Sequence, residues 1–243
     1  MKTLMESSSR RCRRCGRGAI TELRYFKEFL CGRCFTDLFE KRVRRTMRVN
    51  RLLGKQDKVV VGLSGRRDSR VLLFLLRKIF FKAPRSRLAA LTIDDGLPSR
   101  VKLTAEFCRR LNVEYHVRKA DRRLGVLGTL MAEARSLKAD RIALGINLED
   151  EVLYMLEGIM RGKIPFGIKA LRGLAVIKPL RECPEQEVEL YARINKIEHI
   201  KPKAGEKDGF RKMLECMLEE VELKQPGSKF KLLKSVDNFR TWV

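Results

Sequence analysis

Val59-Val60-Val61-Gly62-Leu63-Ser64-Gly65-Arg66-Arg67-Asp68-Ser69-Arg70-Val71-Leu72-Leu73 sets the fold class of the chain. Residues 59–63 are mostly apolar and β-branched, which reads as a buried strand, and the apolar run from Val71 to Phe81 reads as a helix packed back on it. Between them Ser64 to Ser69 form a Ser/Gly turn feeding a helix. Such a turn gathers free backbone N–H groups at the positive end of the helix dipole, which is a cradle for an anion. Gly65 can take positive φ, and Ser64 and Ser69 add hydroxyl donors, so a phosphate is the expected guest. A plain helix cap is the alternative on local grounds. The Gly-x-x-x-x-Gly-Lys-Ser/Thr spacing of a Walker A loop is absent.

Outward from this turn, strand and helix alternate. Strands are expected at 59–63, 88–93, 113–117 and 141–145, with helices at 70–81, 100–111 and 126–138 between them. That rhythm argues an α/β doubly wound parallel sheet with ligands at the carboxyl ends of its strands. Two loops at those ends carry acids: Asp94-Asp95-Gly96-Leu97-Pro98, and Gly145-Ile146-Asn147-Leu148-Glu149-Asp150-Glu151. Acidic groups at a helix start are stabilising in their own right, so capping is one reading of Asn147 and Glu149, and magnesium binding by Asp150 or Glu149 is the other. Further on, helices are expected from Pro184 to Ile194 and over Phe210 to Val221.

The charge is far from balanced. A formal net charge of +24 over 243 residues is tolerated best beside a polyanion, and nucleic acid is the partner it suggests. Between Met1 and Lys55 there are sixteen Lys/Arg against five Asp/Glu, so contact is expected to begin there. No run of eighteen apolar residues exists and the Arg-rich start has no signal-like apolar region, which reads as a cytoplasmic protein with no membrane partner.

Within that basic segment stand Cys12-x-x-Cys15 and Cys31-x-x-Cys34. The spacing is that of a four-thiolate zinc ribbon, closed by protein ligands and so structural; disulfides are the alternative. From Phe35 to Leu53 an amphipathic pattern carries Arg42, Arg44, Arg45, Arg48 and Arg51 on its flank, candidates for tracking an RNA backbone or for solvating the helix. Cys108, Cys183 and Cys216 sit in apolar or helical settings and read as core side chains.

Ser64-Gly65-x-x-Asp68-Ser69 resembles the Ser-Gly-Gly-x-Asp-Ser pyrophosphate loop of the PP-loop ATP pyrophosphatases. Together with the Cys-x-x-Cys pairs, Thr92-Ile93-Asp94-Asp95-Gly96, the Gly145 to Glu151 stretch, Val176-Ile177-Lys178-Pro179-Leu180 and Pro226-Gly227-Ser228-Lys229-Phe230, it is similar to the archaeal and bacterial tRNA 2-thiolation enzymes, relatives of the 2-thiocytidine synthetases. The likeness runs from residue 12 to about residue 238. It implies ATP with magnesium as cofactor, tRNA as partner, a sulfur-carrier protein and a homodimer. The implied reaction is adenylation of the C2 carbonyl of a tRNA pyrimidine, a uridine in most relatives, followed by sulfur displacing AMP. It also implies Ser64, Gly65, Arg66, Arg67, Asp68, Ser69, Asp94, Gly145 and Asn147 as ATP-binding residues, with Arg67, Asp68 and Asp150 in catalytic roles. Several positions depart from the pattern: Arg66 replaces the second glycine, Arg67 the lysine of thiolating members, Ile146 a histidine and Glu149 an aspartate. The cluster cysteines of the family are missing between Val113 and Asp140, so an iron–sulfur cluster is not expected. A paralogue that binds tRNA without sulfur transfer is the competing reading. Three parts are expected: residues 1–54 as ribbon and basic helix, 55–200 as the ATP-binding domain, and 201–243 as a helical, basic extension.

Overall fold

The computed structural model describes residues 10–54, 56–81, 87–162, 173–200 and 209–241; the polar leader and Trp242-Val243 lie outside them. Strands β1 (Thr21–Leu23) and β2 (Glu28–Leu30) form an antiparallel hairpin, and α1 (Gly32–Val49) leaves it directly. The helix starts three residues before the apolar pattern, because the Cys31 side chain caps it by accepting from Cys34 N–H. It stops before Leu53 because Arg51 turns to φ 47°.

The body is a five-stranded, all-parallel sheet made of β3 (Lys58–Gly62), β4 (Arg87–Asp94), β5 (Glu114–Lys119), β6 (Arg141–Ala143) and β7 (Ala175–Ile177), in the order β5-β4-β3-β6-β7. Crossovers are α2 (Arg67–Phe80), α3 (Pro98–Leu111), α4 (Gly125–Ser136) and α5 (Leu148–Met160). Alternation along β3 divides the core: Val59 and Val61 face one layer with α2 and α3, Val60 the other with Leu130, Met131 and Ala134 of α4. The expected α/β doubly wound architecture is present, and strand order reverses between β3 and β6. Ligands in open parallel sheets bind at that reversal, outside the carboxyl ends of the strands.

Helix α6 (Glu185–Ile194) joins the ribbon to this body. Phe39 of α1 stacks on Tyr191 at 4.6 Å, and Tyr191 Oη donates to Glu40 Oε1 at 2.8 Å. One apolar cluster therefore runs from Cys12 and Leu30 through Phe35 and Phe39 to Val59 and Leu72. Helices α7 (Gly209–Lys224) and α8 (Ser228–Thr241) pack on α5 through Leu214, Leu218 and Leu233. Within this basic extension Lys229 is buried, bonded to Glu149 Oε1 at 2.8 Å.

Candidate functional site

The turn after β3 is tighter than its sequence suggests. α2 already begins at Arg67, so Asp68 and Ser69 belong to its first turn. Gly65 takes φ 77°, the left-handed conformation expected of it. Arg66 instead sits at φ −74° and ψ 161°, ordinary extended backbone, so the replacement of the second glycine carries no backbone strain. Ser64 Oγ and Ser69 Oγ lie 3.1 Å apart, and Ser69 Oγ also donates to Arg66 O at 3.0 Å.

Gly145 supplies the other wall. A Cβ there would stand 2.5 Å from Ser69 N and 2.7 Å from Asp68 C, so the loop after β6 lies against the backbone of the loop after β3. Asn147 follows as the cap of α5. Its Oδ1 accepts from Asp150 N at 2.9 Å, while its Nδ2 donates to Asp68 Oδ2 at 2.9 Å. One amide thus caps α5 and bonds the Asp68 carboxylate. Burial and the neighbouring Asp68 carboxylate raise the Asp150 pKa to about 6, partly offset by Asn147 N–H and by Arg211 of α7. Glu149 does not cap α5: it accepts from Glu185 N at 2.7 Å, at the start of α6, and pairs with Lys229.

Two expected residues lie differently. Arg67 is not poised over the turn; its Nε donates to Asp68 Oδ1 at 2.6 Å, and its two Nη groups reach Glu185 at 3.0 Å and Glu189 at 3.3 Å on α6. Despite the desolvation that opposes it, this carboxylate shell holds the guanidinium firmly charged. Asp94 ends β4 on the same edge of the sheet, where its Oδ1 accepts from Gly96 N at 2.9 Å in its own turn.

The five arginines, four on α1 and Arg51 just beyond it, separate. Arg44 pairs with Glu40 at 3.0 Å, while Arg45, Arg48 and Arg51 are exposed. Arg42 is a correction to the expected RNA-facing set: it turns inward, donating to Glu187 Oε2 at 2.7 Å and to Tyr25 Oη at 2.6 Å, with its side chain 10% exposed. The signal that would have placed it, Glu187, is 145 residues away in the chain.

The ribbon cysteines converge. The Sγ atoms of Cys12, Cys15, Cys31 and Cys34 all lie within 4.8 Å of one another, an N-terminal metal-binding site. Burial raises the Cys12 thiol, yet the N–H groups of Cys31, Arg14 and Cys15 outweigh it and bring the thiol down to about 6. Burial and the neighbouring thiols push Cys34 up to about 12, a conflict that a bound cation resolves by holding all four as thiolates. Among the described residues this is the one such cluster, so Cys108, Cys183 and Cys216 do not converge.

A parallel sheet with a glycine-walled turn at its strand-order reversal, fronted by a four-cysteine ribbon, defines an α/β protein whose candidate site lies at the carboxyl edge of the sheet. The chain's homologues are tRNA 2-sulfurtransferases, as the resemblance implied. It is 27% identical to a probable sulfurtransferase of Methanocaldococcus jannaschii, covering 94% of this chain and 78% of that one. It is 25% identical to the tRNA-5-methyluridine(54) 2-sulfurtransferase of Pyrococcus horikoshii, over 92% and 81% of the two chains. Among solved structures, the U34-tRNA thiolase NcsA of Methanococcus maripaludis, with its [4Fe-4S] cluster, shares the fold at a TM-score of 0.86 and 24% identity, covering 100% of this chain and 90% of that one. No protein-family model matches.

That neighbour corrects the cofactor expectation. Zinc at the ribbon, with an iron–sulfur cluster excluded, does not stand: the structure that shares the fold carries a [4Fe-4S] cluster, and this chain gathers a four-cysteine group, so the comparison points to iron–sulfur rather than zinc. Four thiolates are a ligand set for either metal.

Proposed function

We propose that this chain is an ATP-dependent tRNA-modifying protein that activates the C2 carbonyl of a tRNA pyrimidine, a uridine first, for 2-thiolation. The observation that carries the reading is the contact of Gly145 with the Ser69 and Asp68 backbone, which builds a two-walled anion cradle where the strand order reverses. In this reading Ser64, Gly65, Arg66 and Ser69 hold the polyphosphate, while Asp68 and Asp150, with Asp94 on the same edge, take magnesium. Asn147 fixes the Asp68 carboxylate. Arg67 clamps the start of α2 to α6 and meets the phosphates on leaving Glu185 and Glu189. The C2 oxygen attacks the α-phosphorus and pyrophosphate leaves; a sulfur nucleophile from a carrier then bonds to C2 and AMP departs with the oxygen. The exposed Arg45, Arg48 and Arg51 take the tRNA backbone. Such a protein works in the cytoplasm.

Incubation of the full chain with tRNA, magnesium and α-labelled ATP tests this. Pyrophosphate release that depends on tRNA, with label passing to an adenylated RNA and, once sulfide is added as the nucleophile, on to AMP, is expected. Tight tRNA binding without nucleotide turnover would replace the enzyme by the binding paralogue, whose support is the scattering of Cys108, Cys183 and Cys216.

A further inference from the structure

Helix α4 buries an apolar stripe of Leu130, Met131 and Ala134 against the sheet. The same stripe continues toward the helix start as Leu127, Val126 and Leu124, which are 46%, 49% and 54% exposed. The change has a geometric cause. α4 runs antiparallel to the strands, and Leu130 already lies against Gly62, the last residue of β3. At 1.5 Å per residue, Val126 stands roughly 6 Å beyond that point, where β3 and β6 have ended and β4 runs on to Asp94. The first turn of α4 therefore lies past the ends of β3 and β6, on the carboxyl side of the sheet that carries Ser64 to Ser69. Apolar side chains that project past their own core over a ligand cleft are waiting for something other than the sheet.

What covers them is indicated by charge. Lys119, Arg122 and Arg123 flank the turn and are all exposed, and the acid among them, Asp121, is engaged by Arg123 N–H at 2.7 Å and Leu124 N–H at 3.1 Å. Aliphatic surface ringed by cations suits a nucleobase whose own phosphates meet the arginines. We infer that Leu124, Val126 and Leu127 seat the RNA base that enters beside the phosphate loop, with Arg122 and Arg123 on its flanking phosphates. This rests on the proposed tRNA-modifying function and names the place on the chain that receives the base.

The test uses the full chain with Leu124→Ser and Leu127→Ser together, and Arg123→Gln separately; all three side chains are exposed, so the fold is retained. The double variant should bind tRNA about tenfold more weakly with its salt slope unchanged, because aliphatic contact releases no counterions, while ATP affinity stays as in the parent. Arg123→Gln should lower the slope by about one. A photoreactive residue at position 127 should crosslink to a tRNA pyrimidine. Unchanged tRNA affinity in the double variant, or a crosslink to a second copy of the chain or to another protein, would overturn the seat while leaving the function intact. Failure of the parent chain to bind tRNA at all would instead remove the function on which the seat rests.

Discussion

Asn147 Nδ2 donates to Asp68 Oδ2 at 2.9 Å, and this bond ties the loop after β6 to the first turn of α2. The same side chain caps α5 through Asp150 N. Asn147→Asp keeps the capping oxygen but sets a second carboxylate against Asp68. ATP affinity should fall at least tenfold, and the buried like-charge contact should lower the urea midpoint at neutral pH. Asn147→Ala loses cap and bridge together, and should cost about 1–2 kcal/mol of stability as well. Calorimetric titration and urea unfolding separate the two; parent-like ATP affinity in both variants would take Asn147 and Asp68 out of the nucleotide site.

Gly145→Ala places a methyl 2.5 Å from Ser69 N, and backbone cannot rotate out of the way as a side chain does. The two loops must part. Loss of nucleotide binding is expected together with destabilisation on the order of 2–4 kcal/mol, in the range of overpacked sites. Gly96→Ala, where nothing lies within 4 Å but φ is 93°, is the control: a modest stability loss from strain, with its effect confined to the Asp94 turn.

The central strands were legible because apolar runs bounded by Gly and polar residues leave few alternatives, and the Asn147-x-x-Asp150 box is a local signal with a local outcome. What escaped depends on distant partners. β7 is three residues long, too short for any period to register. Lys229, Lys231 and Lys234 read as a basic surface of the C-terminal extension, and only Glu149, 80 residues earlier, explains why Lys229 is inside. Arg66 stands where the resembling motif has a glycine, and the helix begins one residue later and leaves position 66 extended.

Arg42 and Arg45 lie on one helix and should respond oppositely. Breaking the buried pair with Arg42→Met strands Glu187, whose carboxyl is already raised by burial, and should cost about 3–5 kcal/mol. Its tRNA salt slope should match the parent. Arg45→Gln and Arg48→Gln should each leave the melting curve in place and reduce the slope of log affinity against log salt by about one. If Arg42→Met alone flattened that slope while remaining as stable as the parent, its assignment as an internal brace would fail.

Metal content should follow the ribbon thiolates. Cys15 is exposed yet its Sγ lies 3.5 Å from the buried Cys31 Sγ, so Cys15→Ser removes a ligand without opening the core. After anaerobic purification, iron, acid-labile sulfide and zinc should be measured together in parent and variant. The bound metal should drop sharply in Cys15→Ser and remain in Cys216→Ser, which lies outside the group. Equal metal in all three would place the centre elsewhere. Chelation of the parent should loosen α1 as well, because Cys31 caps it, and amide exchange over residues 32–36 reports that.

Arg70 is the least comfortable residue in the body. It is 2% exposed and stacks 4.1 Å from the centre of the Phe107 ring, while its Nε and one Nη find no acceptor. Burial, with Arg110 adding to it, lowers the guanidinium to about 10, against the pull of Glu198, Cys108 and Glu106. A methionine of similar reach keeps the contact with the ring and removes both orphaned donors. Arg70→Met should therefore be more stable than the parent by about 1 kcal/mol at neutral pH, the desolvation of unpaired N–H groups exceeding the cation–π attraction. The pH dependence has a fixed sign. Above about 10 the folded parent sheds the charge while the unfolded chain still holds it, so the parent gains stability as pH rises and the advantage of methionine shrinks. Urea unfolding at pH 7 and at pH 10.5 checks both statements. A parent more stable than Arg70→Met at pH 7 would mean that the guanidinium meets a partner inside the α2–α3 interface and that its burial is favourable.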